Sequence, residues 1–166
     1  MAAGRIERGR VRKGDRVEIV GPATGLTAVV ADIEHCRVRI AEARADMNVA
    51  VLLPGSVSGA LDRGQVLATP GSISARVGFT ADIDVLSEEH GGTEIGSGDR
   101  LQFHVRAAAV LGTVTLPEGA DVVRPLHRGE VAVTLDQSVA LEEGQSFAFR
   151  HHGRAAGSGA VTRLAR

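Results

Sequence analysis

Apolar and polar residues alternate over short stretches of this chain. Arg16-Val17-Glu18-Ile19-Val20, Asn48 to Leu53, Phe79 to Val85, Leu101 to Val105, Val110 to Leu116, Val131 to Leu135, Ser146 to Arg150 and Ala160 to Leu164 all show this alternation, with β-branched residues in every stretch but Ser146 to Arg150, which has two phenylalanines. Period-2 patterning of that kind predicts strands. Arg37 to Ala45 is the one stretch that could make a short helix, and its apolar positions are too few for a helix that faces a core. Five times a glycine and then a polar residue lead into a strand, at Gly14-Asp15, Gly64-Gln65, Gly98-Asp99, Gly129-Glu130 and Gly144-Gln145. Glycine takes the positive φ of a tight turn at no steric cost, so each copy predicts a turn. Short strands with turn signals between them point to an all-β barrel or sandwich.

The pattern breaks at Ala68-Thr69-Pro70-Gly71-Ser72, where proline blocks sheet pairing, and this predicts a boundary between residues 1–71 and 72–166. The first piece has no aromatic residue, which leaves Val, Ile, Leu and Ala to make a small and marginal core.

Composition narrows the chemistry. The 166 residues are 43% apolar and 23% charged, enough for one large domain or two small ones. Nineteen basic residues against twenty acidic give a formal charge of −1, which excludes a basic coat for nucleic acid and leaves room only for local patches. Aromatics make up 2%, all of them Phe (Phe79, Phe103, Phe147 and Phe149), which argues against a platform for stacking bases. The single lysine, Lys13, sits in Arg12-Lys13-Gly14-Asp15, without the Gly-Lys-Ser/Thr of a phosphate-binding loop. One cysteine, Cys36, excludes an internal disulfide and a multi-cysteine zinc site and fits a reducing compartment. No apolar run reaches the ~18 residues of a membrane span, and Met1-Ala2-Ala3-Gly4-Arg5 has no apolar signal core. The expected location is the cytoplasm, with no membrane partner.

Three constellations invite a chemical reading. His151-His152 suggests a metal, but neighbours in a strand face opposite ways, so a surface turn and no metal are expected. His35-Cys36 suggests a thiol nucleophile; the same alternation and the lack of an orienting third group favour a buried or neutral cysteine. Asp82 and Asp84 share a strand face and could hold a cation, although a solvated sheet face is the preferred reading. No nucleophile, base and orienter stand at telling spacings, and no cofactor fingerprint occurs, so the chain is not expected to be an enzyme.

The wording of the chain goes further than its periodicity. Gly4-Arg5-Ile6-Glu7-Arg8-Gly9, Gly14-Asp15-Arg16-Val17-Glu18-Ile19-Val20-Gly21, Asn48-Val49-Ala50-Val51-Leu52-Leu53 and Asp62-Arg63-Gly64-Gln65-Val66-Leu67-Ala68-Thr69-Pro70-Gly71 resemble the second domain of bacterial elongation factor Tu. Leu86-Ser87-Glu88-Glu89-His90-Gly91-Gly92, Gly112-Thr113-Val114-Thr115-Leu116-Pro117-Glu118-Gly119 and the run from Phe147 to Gly159 resemble its third. The resemblance runs from about Gly4 to Arg166 and implies two small antiparallel β-barrels, 1–71 and 72–166. It also implies that the GTPase domain and the opening strand of the first barrel lie outside this chain, and with them GTP and magnesium. A barrel one strand short would expose an unpaired edge.

The resemblance further implies a partner, aminoacyl-tRNA, and a residual grip on it, with a separate GTPase domain or the ribosome as protein-side partner and no role for DNA. At the aminoacylated 3′ end, Glu34 would face the terminal adenine, Arg37 the acceptor-end phosphates and Asn48 the aminoacyl group; Arg63 would lie near the 5′ end. Arginine offers a fork of donors to phosphate, and a carboxylate accepts from an adenine edge. Cys36 stands where the family has His or Phe, and Ala3 where it has Thr. On the T stem, Gln102, Arg106 and Arg154 match family positions. Leu111 replaces a family Thr and His151-His152 replaces Glu-Gly, and the bulk of two imidazoles implies altered or lost docking there. Read without the resemblance, the arginines are surface residues, and Glu34 and Asn48 serve turns or strand ends. The replacements also motivate an alternative, a repurposed barrel that binds a small molecule or a protein outside translation.

Overall fold

A computed structural model describes residues 2–21, 26–54 and 64–164. Its strands are β1 (Ala2–Arg5), β2 (Arg10–Arg12), β3 (Arg16–Val20), β4 (Leu26–Val29), β5 (Asp32–His35), β6 (Val38–Ile40), β7 (Glu42–Arg44), β8 (Asn48–Leu52) and β9 (Val66–Ala68). They continue with β10 (Ser74–Val85), β11 (Ile95–Gly96), β12 (Arg100–Val105), β13 (Ala108–Thr115), β14 (Val122–Val123), β15 (Arg128–Leu141), β16 (Ser146–His151) and β17 (Arg154–Leu164). The one helical piece among the described residues is a 3-10 turn at Glu88–His90. The chain forms two compact units, Met1–Asp62 with Val66–Ser72, and Arg63–Gln65 with Ile73–Arg166.

The first unit packs three antiparallel sheets around one aliphatic core. They run β1-β8-β5-β6, β4-β3-β9 and the ribbon β2-β7. Alternation sends Val17, Ile33, Val49 and Val51 inward to meet Ala28, Val30, Ala43 and Leu53, with Ile6, Val11, Ile40, Met47 and Leu67 packed on the edge. The stretch 37–45, expected as a short helix, is instead the turn after β5 followed by β6 and β7. Two features decide against the helix. Val38 and Ile40 pair across to β5, and Ala43, between outward Glu42 and Arg44, is fully buried, an alternation a helix would destroy.

The second unit is a closed barrel in the order β10-β15-β13-β12-β16-β17, with β10 also bonded to β17. Its centre is a cluster of all four phenylalanines. Phe103 meets Phe147 at 5.6 Å, Phe79 at 6.1 Å and Phe149 at 6.4 Å between ring centroids, mostly edge to face. The rings are at most 5% exposed, so none is presented to a base. Where β17 crosses β10 the backbones come too close for a side chain: a Cβ on Gly157 would lie 2.3 Å from the Asp84 carbonyl oxygen and 2.5 Å from Phe149 Cζ. On the outer surface the bidentate pair Arg128–Asp84 links the neighbouring strands β15 and β10, and the bidentate pair Arg100–Asp136 reaches from β12 across β13 to β15. Asp84 is thereby committed to an arginine, and the Asp82–Asp84 face carries no cation cluster among the described residues.

Four of the five predicted glycine turns have positive φ, Gly14, Gly64, Gly98 and Gly144. Gly129 does not. It lies inside β15 opposite Ile83, and a Cβ there would meet Val123 Cγ2 at 2.5 Å. Its glycine serves a close approach, and the preceding turn places Leu126, not a glycine, at φ 64°.

Candidate nucleic-acid interface

In the first unit, β5 and β6 are joined by the two residues Cys36 and Arg37, with His35 paired to Val38. Both loop residues have positive φ, 51° and 66°. Two central residues at positive φ suit the right-handed twist of a hairpin, but the position favours Asn-Gly over side chains like these. His35 Nδ1–H donates to the Asn48 carbonyl at 2.9 Å and ties the tip to β8. That tautomer leaves Nε2 as acceptor for the Cys36 thiol at 3.6 Å. The strand-alternation argument therefore fails at this dipeptide, since a left-handed turn residue turns back toward its neighbour. The cysteine, for which a buried or neutral state was the expectation, is exposed.

The tip overhangs an open depression of about 500 Å³ whose walls include Ala3, Glu34, Cys36, Arg37, Asn48 and Ala50. The residues come together because β5 is hydrogen-bonded to β8 and β8 to β1, so Glu34 faces Ala50 and Ala50 faces Ala3 across successive strands. A carboxylate, a guanidinium and an amide are thus displayed on one concave sheet face. Together they offer acceptors for a base edge, a donor fork for phosphate and an amide for a neighbouring ester or amine. Arg63 lies outside the described residues.

In the second unit the three T-stem positions differ in exposure and in the partners they hold. Gln102 stands on the outer face of β12 between Leu111 of β13 and Arg150 of β16. Arg154 is exposed at the first position of β17, opposite His151. Arg106 is different. Its side chain is only 9% exposed, donates to the Ala140 carbonyl at 2.9 Å and to Glu142 at 3.1 Å, and pins the β12–β13 turn to the end of β15. This guanidinium serves the turn of the barrel itself. Arg150, exposed directly beside Gln102, is a cation that sequence reasoning passed over. The inward Phe147 and Phe149 of the same strand already required it to point outward.

The histidine pair departs from the expected surface turn. His151 is the last residue of β16, 7% exposed, and hydrogen-bonded through Nδ1 to the Thr93 hydroxyl at 2.7 Å. His152, at φ 54° in the following turn, folds back and stacks on it at 3.9 Å. Burial pushes the His151 imidazole below its ordinary value, the His152 charge adds to that, and Asp99 opposes it. Only one of the two imidazoles projects from the tip. No group of three or more His, Cys, Asp or Glu among the described residues is placed to hold a metal ion. Among the described residues, no helix is long and apolar enough to cross a membrane.

Compared with known protein families, residues 72–165 match the elongation factor Tu C-terminal domain.

Proposed function

The chain belongs to the elongation factor Tu C-terminal domain family through residues 72–165, and on that premise we propose that it is an elongation factor Tu-like binding module of translation elongation. In this reading its first unit corresponds to the second domain of the family and supplies part of an aminoacyl-tRNA surface. GTP, magnesium and hydrolysis belong to a domain other than these barrels, and the module works in the cytoplasm. The observation that carries the reading is the depression that Glu34, Arg37 and Asn48 line together. Arg37 meets acceptor-end phosphate, Glu34 the terminal adenine and Asn48 the aminoacyl group. On the barrel, Gln102 and Arg154 remain candidates for the T stem.

The test is fluorescence anisotropy with aminoacylated and deacylated tRNA at several salt concentrations. Weak binding with a modest salt slope is expected, because few phosphates are touched and each contributes only about 0.7–0.9 to that slope. Asn48→Ala should erase the preference for the aminoacylated form, and Arg37→Ala should weaken both. Tight, salt-resistant binding, or binding indifferent to both substitutions, would overturn the reading. A second reading, a protein-interaction module outside translation, draws support from Leu111, half-exposed beside Gln102, and from the commitment of Arg106 to Glu142. Restoring Thr at 111 with Glu and Gly at 151 and 152 separates the two: improved tRNA affinity supports the translation reading, and no improvement supports the other.

A further inference from the structure

The ribbon β2-β7 carries a charge arrangement that the depression does not use. Its register pairs Arg10 with Arg44, Val11 with Ala43 and Arg12 with Glu42. Cross-strand partners share a face, and Val11 and Ala43 occupy the face that packs on the core. The opposite face therefore presents Arg10, Arg12, Arg44 and Glu42 together. All three arginines converge on the one carboxylate: Arg12 Nε at 3.1 Å, Arg10 at 3.4 Å and Arg44 at 3.8 Å, the last beyond hydrogen-bond length. Their side chains are 51–76% exposed, against 28% for Glu42. Asp15 lies close by and accepts from the Arg12 backbone N–H at 2.8 Å, with Lys13 beside it in the same turn.

Two arginines directly opposed across a strand pair destabilise it, and one carboxylate neutralises one of three guanidinium charges. The Glu42 carboxyl is held below the usual carboxylate range, first by its Arg12 hydrogen bond and further by the charges of Arg12, Arg10 and Arg44, with burial opposing. An anion with several oxygens would relieve the excess, and guanidinium forks match phosphate bidentately. We propose that the Arg10–Arg12–Arg44 face of this ribbon is a docking site for the phosphate backbone of double-stranded RNA, distinct from the depression at Glu34, Arg37 and Asn48. The choice of RNA among polyanions rests on the functional reading above; the cationic face does not. The two places are close. The turn from Arg44 is closed by the Met47 N–H donating to the Arg44 carbonyl at 3.2 Å, which sets Arg44 and Asn48 no more than about 11 Å apart between Cα atoms. One RNA can reach both.

The probe is a short blunt RNA duplex, with no single-stranded 3′ end and no aminoacyl group, titrated into the full chain from 50 to 200 mM salt. Each phosphate contact contributes about 0.9 to the slope of log affinity against log salt. Arg10→Gln with Arg44→Gln should lower that slope by about 1.8, so that the parent loses about tenfold more affinity than the variant over this range. Glu42→Gln should tighten duplex binding, a gain that misfolding cannot produce. Duplex binding untouched by both the double variant and Glu42→Gln overturns the site. Equal binding of poly-glutamate or of anionic vesicles, with the same response to the variants, overturns RNA as the ligand. A parent chain that shows no aminoacyl preference in the tRNA assay, with the duplex response intact, removes the depression's reading and leaves this site standing.

Discussion

The hairpin tip at Cys36 and Arg37 sets stability against binding, and replacing the pair by Asn-Gly measures both. A non-glycine residue in the left-handed region costs roughly 1–2 kcal/mol, and both tip residues pay it, at φ 51° and 66°. Asn tolerates that region better, and Gly is indifferent to it. Gly gives back about 0.5–1 kcal/mol through the entropy of the unfolded chain. The thiol contact to His35 is also lost, while the His35 bond to the Asn48 carbonyl stays. The net expectation is a gain of about 1 kcal/mol in the first unit, equivalent to a rise of about 4–8 °C in its Tm. Scanning calorimetry is the assay, because all four aromatic residues lie in the second unit and near-UV dichroism is blind to the first. The same variant should bind aminoacyl-tRNA more weakly, with a salt slope reduced by about 0.7–0.9 for one lost phosphate. A lower Tm for the first unit refutes the strain argument. A higher Tm with unchanged tRNA affinity refutes the role given to Arg37.

Other outcomes follow from the second unit. Gly157→Ala places a methyl group 2.3 Å from a backbone oxygen and 2.5 Å from a core ring; it should cost about 3 kcal/mol, whereas Gly96→Ala, with nothing nearer than 3.6 Å, should move the calorimetric midpoint by less than a degree or two. Arg106→Gln should destabilise the unit by about 2 kcal/mol in urea titration, through the lost Glu142 and Ala140 contacts, and leave the salt slope for tRNA unaltered. His151 titrates below the ordinary histidine value in the fold, so the unfolded chain binds more protons as the pH falls. Its contribution is complete above about pH 6.5 and is lost as the pH drops from there through the lowered folded value. The Tm of the parent should therefore decline more steeply between pH 7 and 5 than that of His151→Gln.

Alternation revealed the strands whose apolar residues point inward with nothing ambiguous between them, as in β8, β12 and β16. It understated β15 and β17, which continue past their apolar segments into Gly, Ser and Arg positions held by pairing with β10. It missed β6 and β7 because three-residue strands rich in arginine carry too few apolar positions to display a period. At the interface, Glu34, Arg37 and Asn48 could be named from the wording of the chain, but their common depression arises from the order β1-β8-β5, which no local pattern states. The two dipeptide arguments, at His35-Cys36 and His151-His152, failed for one reason. Strand alternation holds only while φ is negative, and Cys36 and His152 are both turn residues with positive φ. The Arg10–Arg44 opposition was equally hidden, since it depends on a register between segments more than thirty residues apart.

The barrel closes by bonding β10 to β17, so that Phe79 stands opposite Leu164, and Val85 opposite Gly157. On a ribosome, β10 is therefore made early and finds its second edge only after about eighty further residues, some 4–16 s at ordinary elongation rates of ~5–20 residues per second. During that interval the twelve-residue β10 has at best one neighbour, β15, and an open edge able to pair with another nascent chain. The order of synthesis, as much as the final packing, then governs the yield of this protein: slowing translation across residues 142–157 should increase aggregation, and chaperones that shield strand edges should act while the last strand is still being made.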